Sequence, residues 1–285
     1  MKKQTHVGAI LSAALAFMSA SIDAATPWTP ADLSGGTHAW WDASDVSTIT
    51  VTGSGVSAWA DKSGNGFTAT QTNDGLRPLT GGRTIGGLNA IEFDNDGLNF
   101  TTFDLMENNK EAFAVFHQDG VQDMTILGGG GNSQMTVMSN QTLRLWKAAN
   151  PYSNNTQRGT VPVATDNMAG WLAHADFKKY SVNGALSVTT DTPTGNNMAV
   201  QQIGRQQYAN ADGLIGEIVV TSATLSADDR AKLEGYLAWK WGTVDSLPGD
   251  HTYKTDGSLF AIPEPSTTTL LGLAAIGFVL SRRRR

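Results

Sequence analysis

Short apolar runs alternate with Gly, Asn, Asp and Ser along most of the chain. Runs of this length bounded by turn formers predict strands, and their density predicts an all-β, two-sheet antiparallel sandwich or jelly roll. Residues 39–45, Ala-Trp-Trp-Asp-Ala-Ser-Asp, read as an opening strand entering a turn that Ser44 or Asp45 caps. Residues 56–60 give a second strand around Trp59. Residues 112–116 and 124–127 are apolar throughout, as buried strands are, and residues 143–146 add another. Glycines 128–131 end one of these runs; no Lys-Ser/Thr follows them, so they read as a turn and not a phosphate loop. Asn183-Gly184 between extended segments predicts a two-residue hairpin that pairs Val182 with Ala185 and Tyr180 with Ser187. Leu186 and Val188 then take the other face, and the pattern leaves open which face is core. Residues 214–220 are apolar on both faces, the mark of a central strand.

After Ser226 the period changes to that of a helix. Ser226 and Asp229 stand at capping-box spacing, and Gly242 stops the helix after Trp241. Leu233, Leu237 and Trp241 share one stripe, flanked by Tyr236. Asp228, Lys232, Gly235 and Trp239 fall opposite. Trp239 is out of place there, and the returning tail, residues 247–253, is expected to cover it.

The two ends of the chain have a different character. Lys2 and Lys3 precede an apolar stretch, residues 7–20, and small residues up to Ala24 and Ala25. This predicts a secretory signal peptide, residues 1–24, cut after Ala24. At the other end Pro263, Glu264 and Pro265 precede an uncharged run, residues 266–281, and then Arg282, Arg283, Arg284 and Arg285. As a helix that run is about 24 Å long, short of a hydrocarbon core of about 30 Å. The arginines behind it should stay in the cytoplasm and leave everything upstream outside. The exported body has no cysteine and must be held by its core. Without Lys2, Lys3, Asp23 and the four arginines, 14 basic residues face 25 acidic ones, a net charge of −11. That argues against a nucleic-acid partner.

Candidate chemistry is sparse. Asp61-Lys62-Ser63-Gly64-Asn65-Gly66 groups oxygen-bearing side chains, but one carboxylate is thin for calcium and turn geometry is the better reading. Glu92, Asp94 and Asp96 share one face of an extended strand, as paired carboxylates of a glycosidase would. Glucanases of this kind carry Glu-x-Asp-x-x-Glu on a strand. Here Gly97 stands where the last Glu should be, so the stretch reads as a strand ending in a turn. The polar loop 148–158 is the first place to look for a ligand. Trp146 and Tyr152 could stack on a sugar, with Asn154 and Asn155 supplying amide hydrogen bonds. His174 has no metal-spaced partner and reads as a strand residue.

The tripartite C-terminus resembles the PEP-CTERM sorting signal of Gram-negative bacteria. The resemblance implies an exosortase-type enzyme that processes the segment, and delivery of the body to the cell surface or exopolysaccharide. The body resembles the LamG-like jelly-roll domains of the concanavalin A-like lectin/glucanase superfamily. The residues that carry this are Trp41-Asp42-Ala43-Ser44-Asp45, the turn from Asp61 to Gly66, Arg77-Pro78 and Asn183-Gly184. So do Ile215-Gly216-Glu217-Ile218 and, most specifically, Gly235-Tyr236-Leu237-Ala238-Trp239-Lys240-Trp241-Gly242. That family implies a sandwich that often binds glycans or proteins and sometimes calcium, without implying catalysis. The expected organisation is a signal peptide (1–24), a jelly-roll domain with one short C-terminal helix (25–260) and a transmembrane sorting helix (261–285). The expected function is that of a non-catalytic surface or matrix protein, carbohydrate-binding or structural. The alternative is a secreted glycoside hydrolase or lyase. Expected partners are the secretion machinery, the sorting enzyme, the inner membrane in passing and an extracellular polysaccharide. No cofactor is expected, calcium being the one ion the resemblance leaves open.

Overall fold

The computed structural model describes residues 26–129, 133–146, 157–173, 178–189, 197–205 and 211–260. The expected signal peptide (1–24), His174, Tyr152, Asn154, Asn155, Pro263, Glu264, Pro265 and the four terminal arginines lie outside the described residues. Strands are, in order, β1 (Thr37–Asp42), β2 (Ile49–Thr52), β3 (Gly55–Trp59), β4 (Ala69–Thr70), β5 (Leu79–Ile85), β6 (Leu88–Asp94), β7 (Leu98–Asp104), β8 (Glu111–Gln118), β9 (Met124–Gly128), β10 (Gln134–Val137), β11 (Leu143–Trp146), β12 (Gln157–Arg158), β13 (Asp166–Ala173), β14 (Lys178–Val182), β15 (Ala185–Thr189), β16 (Ala199–Ile203) and β17 (Asp212–Thr221). One helix, α1 (Ala227–Lys240), follows.

They form two antiparallel sheets, a sandwich of jelly-roll type. The eight-stranded sheet runs β15-β14-β13-β8-β17-β6-β5, and the nine-stranded sheet runs β12-β11-β10-β9-β16-β7-β4-β3-β2. β17 is the axis of the first sheet: β8 lies along one side, and β6 and then β1 share the other. Strand alternation sorts the core into two layers. Trp41, Phe116, Trp171 and Ile218 point between the sheets and meet Trp59, Leu98, Ile126 and Leu145. Their neighbours Trp40, Phe113, Met168 and Val219 point the other way and meet Leu233, Leu237 and Trp241 of α1. Under α1 the central strands of the eight-stranded sheet are therefore buried on both faces, which is why 214–220 is apolar on both.

The hairpin has the expected register, Val182 opposite Ala185 and Tyr180 opposite Ser187, with positive φ at Asn183 and Gly184. Its open question is answered by packing: Tyr180 is buried in the sandwich, while Leu186 and Val188 are exposed. The helix begins as expected, with the Ser226 hydroxyl accepting from the Asp229 N–H at 3.0 Å. It ends one residue early, at Lys240, with Trp241 as the cap. The tail touches Trp239 without covering it: the side chain stays 39% exposed. Its indole N–H donates to the Tyr253 carbonyl at 2.7 Å, and its ring lies against Gly257. The same tail brings Phe260 against Trp28 and Tyr236, and the Trp28 N–H donates to the Leu259 carbonyl at 3.0 Å. Among the described residues no helix is long and apolar enough to cross a membrane.

Candidate functional site

The motif residues converge under α1. The β17 register shifts between Ile215 and Glu217. The shift turns Glu217 from the inter-sheet layer to the helix side. Gly216 sits at the shift because a Cβ there would stand 2.8 Å from the Trp241 ring. Glu217 is wholly buried. It accepts from Trp40 Nε1 at 2.6 Å, Trp241 Nε1 at 2.6 Å, Lys240 Nζ at 2.8 Å and the Tyr236 hydroxyl at 3.2 Å. Lys240 also reaches Asp42 at 2.8 Å, and Asp42 and Asp45 hold Lys62 at 2.9 and 3.0 Å. Burial pushes the Glu217 carboxyl up. Burial also pushes Asp42 up, but the Lys240 charge and hydrogen bonds from Lys240, Ser44 and Lys62 outweigh it and hold that carboxyl below its ordinary value.

The Asp61–Gly66 turn is tied into the same place. Asp61 accepts from the Trp40, Ser63 and Phe67 N–H groups and from the Ser63 hydroxyl, at 2.8 to 3.0 Å. Asn65 donates to the carbonyls of Thr37 and His38, both at 3.0 Å. The carboxylate is filled by backbone donors, and the turn fastens the start of β1. The network holds the helix and the first strand to the sheet.

Beyond Leu214, where α1 no longer covers it, the same outer face is polar. Cross-strand register puts Glu92, Leu214, His117 and Asp166 in one row. Arg83 holds Asp119 with two bonds, at 2.5 and 2.6 Å, and reaches Glu92 at 3.1 Å. His117 Nδ1 lies 2.8 Å from Asp166, and its Nε2 lies 3.6 Å from Asp119. The hydrogen bonds from Arg83 hold the Asp119 carboxyl below its ordinary value. Burial, with the charges of Asp119 and Asp94, raises that of Asp212. The two carboxyls are thus shifted in opposite directions, Asp119 by its ion pair with Arg83 and Asp212 by burial. Among the described residues no three His, Cys, Asp or Glu side chains group as a metal site would need.

Of the expected carboxylates, the structure brings Glu92 into this patch. Asp94 ends β6 beside Asp212, while Asp96 lies past the strand and accepts from the Asp94 N–H at 3.3 Å. Gly97 cannot carry a side chain: a Cβ would stand 2.6 Å from the Arg205 Cβ and 3.2 Å from the Ile203 carbonyl. The sequence reading missed Arg83, His117, Asp119, Asp166 and Asp212, which come from four strands and the loop after β8.

The outer face of the nine-stranded sheet differs again. Gln134, Gly128, Gln202, Asn99, Thr70 and Ala58 stand opposite one another from β10 to β3, a single row across six strands. Gln202 Nε2 donates to Asn99 Oδ1 at 2.8 Å, and Thr102 Oγ1 to Gln201 Oε1 at 2.8 Å. Trp146 is next in register, opposite Gln134. The expected binding residue Trp146 therefore adjoins this row.

Comparison with known proteins gives one family match. Residues 261–285 carry the PEP-CTERM protein-sorting motif. No match was found among curated protein sequences. Among solved structures, domain 4 of AbnA, a GH43 extracellular arabinanase from Geobacillus stearothermophilus in complex with arabinotriose, is 15% identical with a TM-score of 0.51. The match covers 70% of this chain and 98% of that one. Trypanosoma rangeli sialidase in complex with 2,3-difluorosialic acid is 12% identical with a TM-score of 0.49, over 70% of this chain; this chain spans about a third (33%) of that one. A GH54 α-L-arabinofuranosidase is 17% identical with a TM-score of 0.45, covering 63% of this chain and 50% of that one. The likeness shows a shared fold. The expectation that this chain is not an enzyme is corrected: the fold it shares with domain 4 of the arabinanase is one found within glycosidases, so the fold gives no ground for excluding catalysis. The physical reason for the error is that Gly97 is dictated by packing against Arg205. A missing carboxylate at that position says nothing of the carboxylates gathered from elsewhere. The motif implies export and sorting at a membrane by exosortase-type machinery.

Proposed function

We propose that this is an exported, carbohydrate-active protein. The C-terminal segment anchors it briefly in the inner membrane, and an exosortase-type enzyme then passes it to the cell surface or extracellular matrix, where the sandwich engages polysaccharide. The observation that carries this reading is the union of a sorting motif at residues 261–285 with a sandwich like that of a domain whose structure holds arabinotriose. The test is binding of the purified protein to a panel of immobilised glycans. Retention by none of them rejects the reading.

A second reading, glycoside hydrolysis, is favoured by the Asp119–Asp212 pair. A carboxyl held up and a neighbour held down is the division of labour that general acid and base or nucleophile need. Reducing ends released from a polysaccharide by the protein and not by Asp212→Asn would support it. Equal release by both, or none by either, would reject it.

A further inference from the structure

We infer that Trp239 and Leu259 form a lipid-contact surface, by which the body lies against the inner membrane while the C-terminal segment is inserted. The inference rests on the anchoring proposed above and adds the side of the body that meets the bilayer.

Three observations carry it. The first is where the chain leaves the body. The Trp28 N–H donates to the Leu259 carbonyl at 3.0 Å, and Phe260 meets the Trp28 ring edge-on. The two ends of the body are thus fastened to each other. The sorting motif starts at residue 261, and only residues 261–265 separate Phe260 from the uncharged run at Ser266. Fully extended, that link spans at most about 22 Å. A body on so short a link stays beside the headgroups for as long as the anchor is in the bilayer, and it offers them the side from which the link departs. The expected signal peptide ends at Ala24, close before Trp28, so a precursor would be held at the same place from both ends. The second observation is what that side offers. Trp239 and Leu259 are 39% and 37% exposed, and among the described residues of α1 and the tail after it they are the only exposed large hydrophobic side chains. They belong to one surface. The Trp239 ring lies so close to Gly257 that a Cβ there would stand 2.4 Å from it. Gly257 in turn starts the turn that holds Leu259, closed by the Phe260 N–H on the Gly257 carbonyl at 2.9 Å. The third is chemistry. The Trp239 indole N–H is already satisfied by the Tyr253 carbonyl at 2.7 Å, so the ring enters lipid without leaving a donor unpaired. Tryptophan is favoured at a membrane–water interface. The cations of α1 and the tail are engaged within the body: Arg230 by Glu111, Lys232 by Asp228, Lys240 by Glu217 and Asp42, and Lys254 by the carbonyls of Asp245 and Leu247. Such a surface binds by apolar burial and not by attraction to anionic headgroups.

The test reconstitutes the full chain in phosphatidylcholine vesicles, with and without bromine on the acyl chains, and reads tryptophan fluorescence. All eight tryptophans lie between residues 28 and 241, so quenching by bromine reports contact of the body, and not of the anchor, with lipid. The wild-type chain should float with the vesicles and be quenched. Trp239→Phe should still float and lose most of the quenching. Leu259→Ser, which keeps every tryptophan, should reduce it, while Val51→Ser, also exposed but on β2 of the other sheet, should not. Phosphatidylglycerol added to the vesicles should not raise it. A floating chain that is not quenched overturns the inference and leaves the anchor in place, the body then standing off the membrane or resting on a protein. Quenching that survives in both Trp239→Phe and Leu259→Ser, or that grows with phosphatidylglycerol, overturns it as well. A wild-type chain that does not float with the vesicles overturns the anchor and the inference together.

Discussion

Glu217 and Lys240 form an ion pair at 2.8 Å that joins the axial strand to the end of the helix, with Glu217 at 0% exposure. Such a pair is expensive to break from one side, since the survivor, Glu217, is a buried charge left with only the neutral donors Trp40, Trp241 and Tyr236. Lys240→Ala should therefore cost on the order of 3–5 kcal/mol. The double variant Glu217→Gln with Lys240→Met removes both charges and should recover much of that loss. Urea midpoints of the three proteins check this; a double variant no better than the single one would refute the account.

Leu237 lies at the centre of the helix stripe and is wholly buried against the eight-stranded sheet. Leu237→Ala should lower stability by about 2–5 kcal/mol, the lost transfer energy plus a cavity. An unchanged thermal midpoint would mean that α1 does not pack as described.

The acid limb of the stability curve should depend on Asp42. Its carboxyl is held down in the folded state, so it contributes stability above its unfolded value of 3.8 that is lost as pH falls through the folded one. Glu217, pushed up by burial, has the opposite sign: its contribution is lost as pH rises past its unfolded value of 4.5. Between pH 5 and pH 2, Asp42→Asn should flatten the fall in unfolding midpoint relative to wild type. Parallel curves would remove Asp42 from the account.

The sorting segment should act as a temporary anchor. Proline disfavours helix, so Pro263 and Pro265 are expected to leave the backbone there accessible to a processing enzyme. Alanines at Pro263, Glu264 and Pro265 should leave membrane insertion intact and block maturation. Serines at Arg282 to Arg285 should weaken retention. Intact mass of protein released by a host with the sorting enzyme is the readout. Released chain still carrying the arginines, or normal maturation of the triple-alanine variant, would rule this out.

The sequence by itself determined what rests on local chemistry. Asn183-Gly184 sets the register of β14 and β15 because its backbone conformation permits only a tight turn. Ser226 marks the first turn of α1 because a hydroxyl there meets an orphan N–H. Residues 261–285 announce sorting because proline, apolar length and terminal charge act along the chain and need no fold. Tertiary structure alone decided the rest. A register shift at Gly216 moves Glu217 from one face of β17 to the other, and no pattern within ten residues reveals it. Trp40 and Glu217 are 177 residues apart yet share a hydrogen bond. Arg83 and Asp119, or Gln202 and Asn99, likewise meet because strands distant in sequence are neighbours in a sheet. Local propensity shapes each strand, but the partners of a side chain are set by which strands pair and in what register. In a sandwich of long-range pairings that information resides in the packed core.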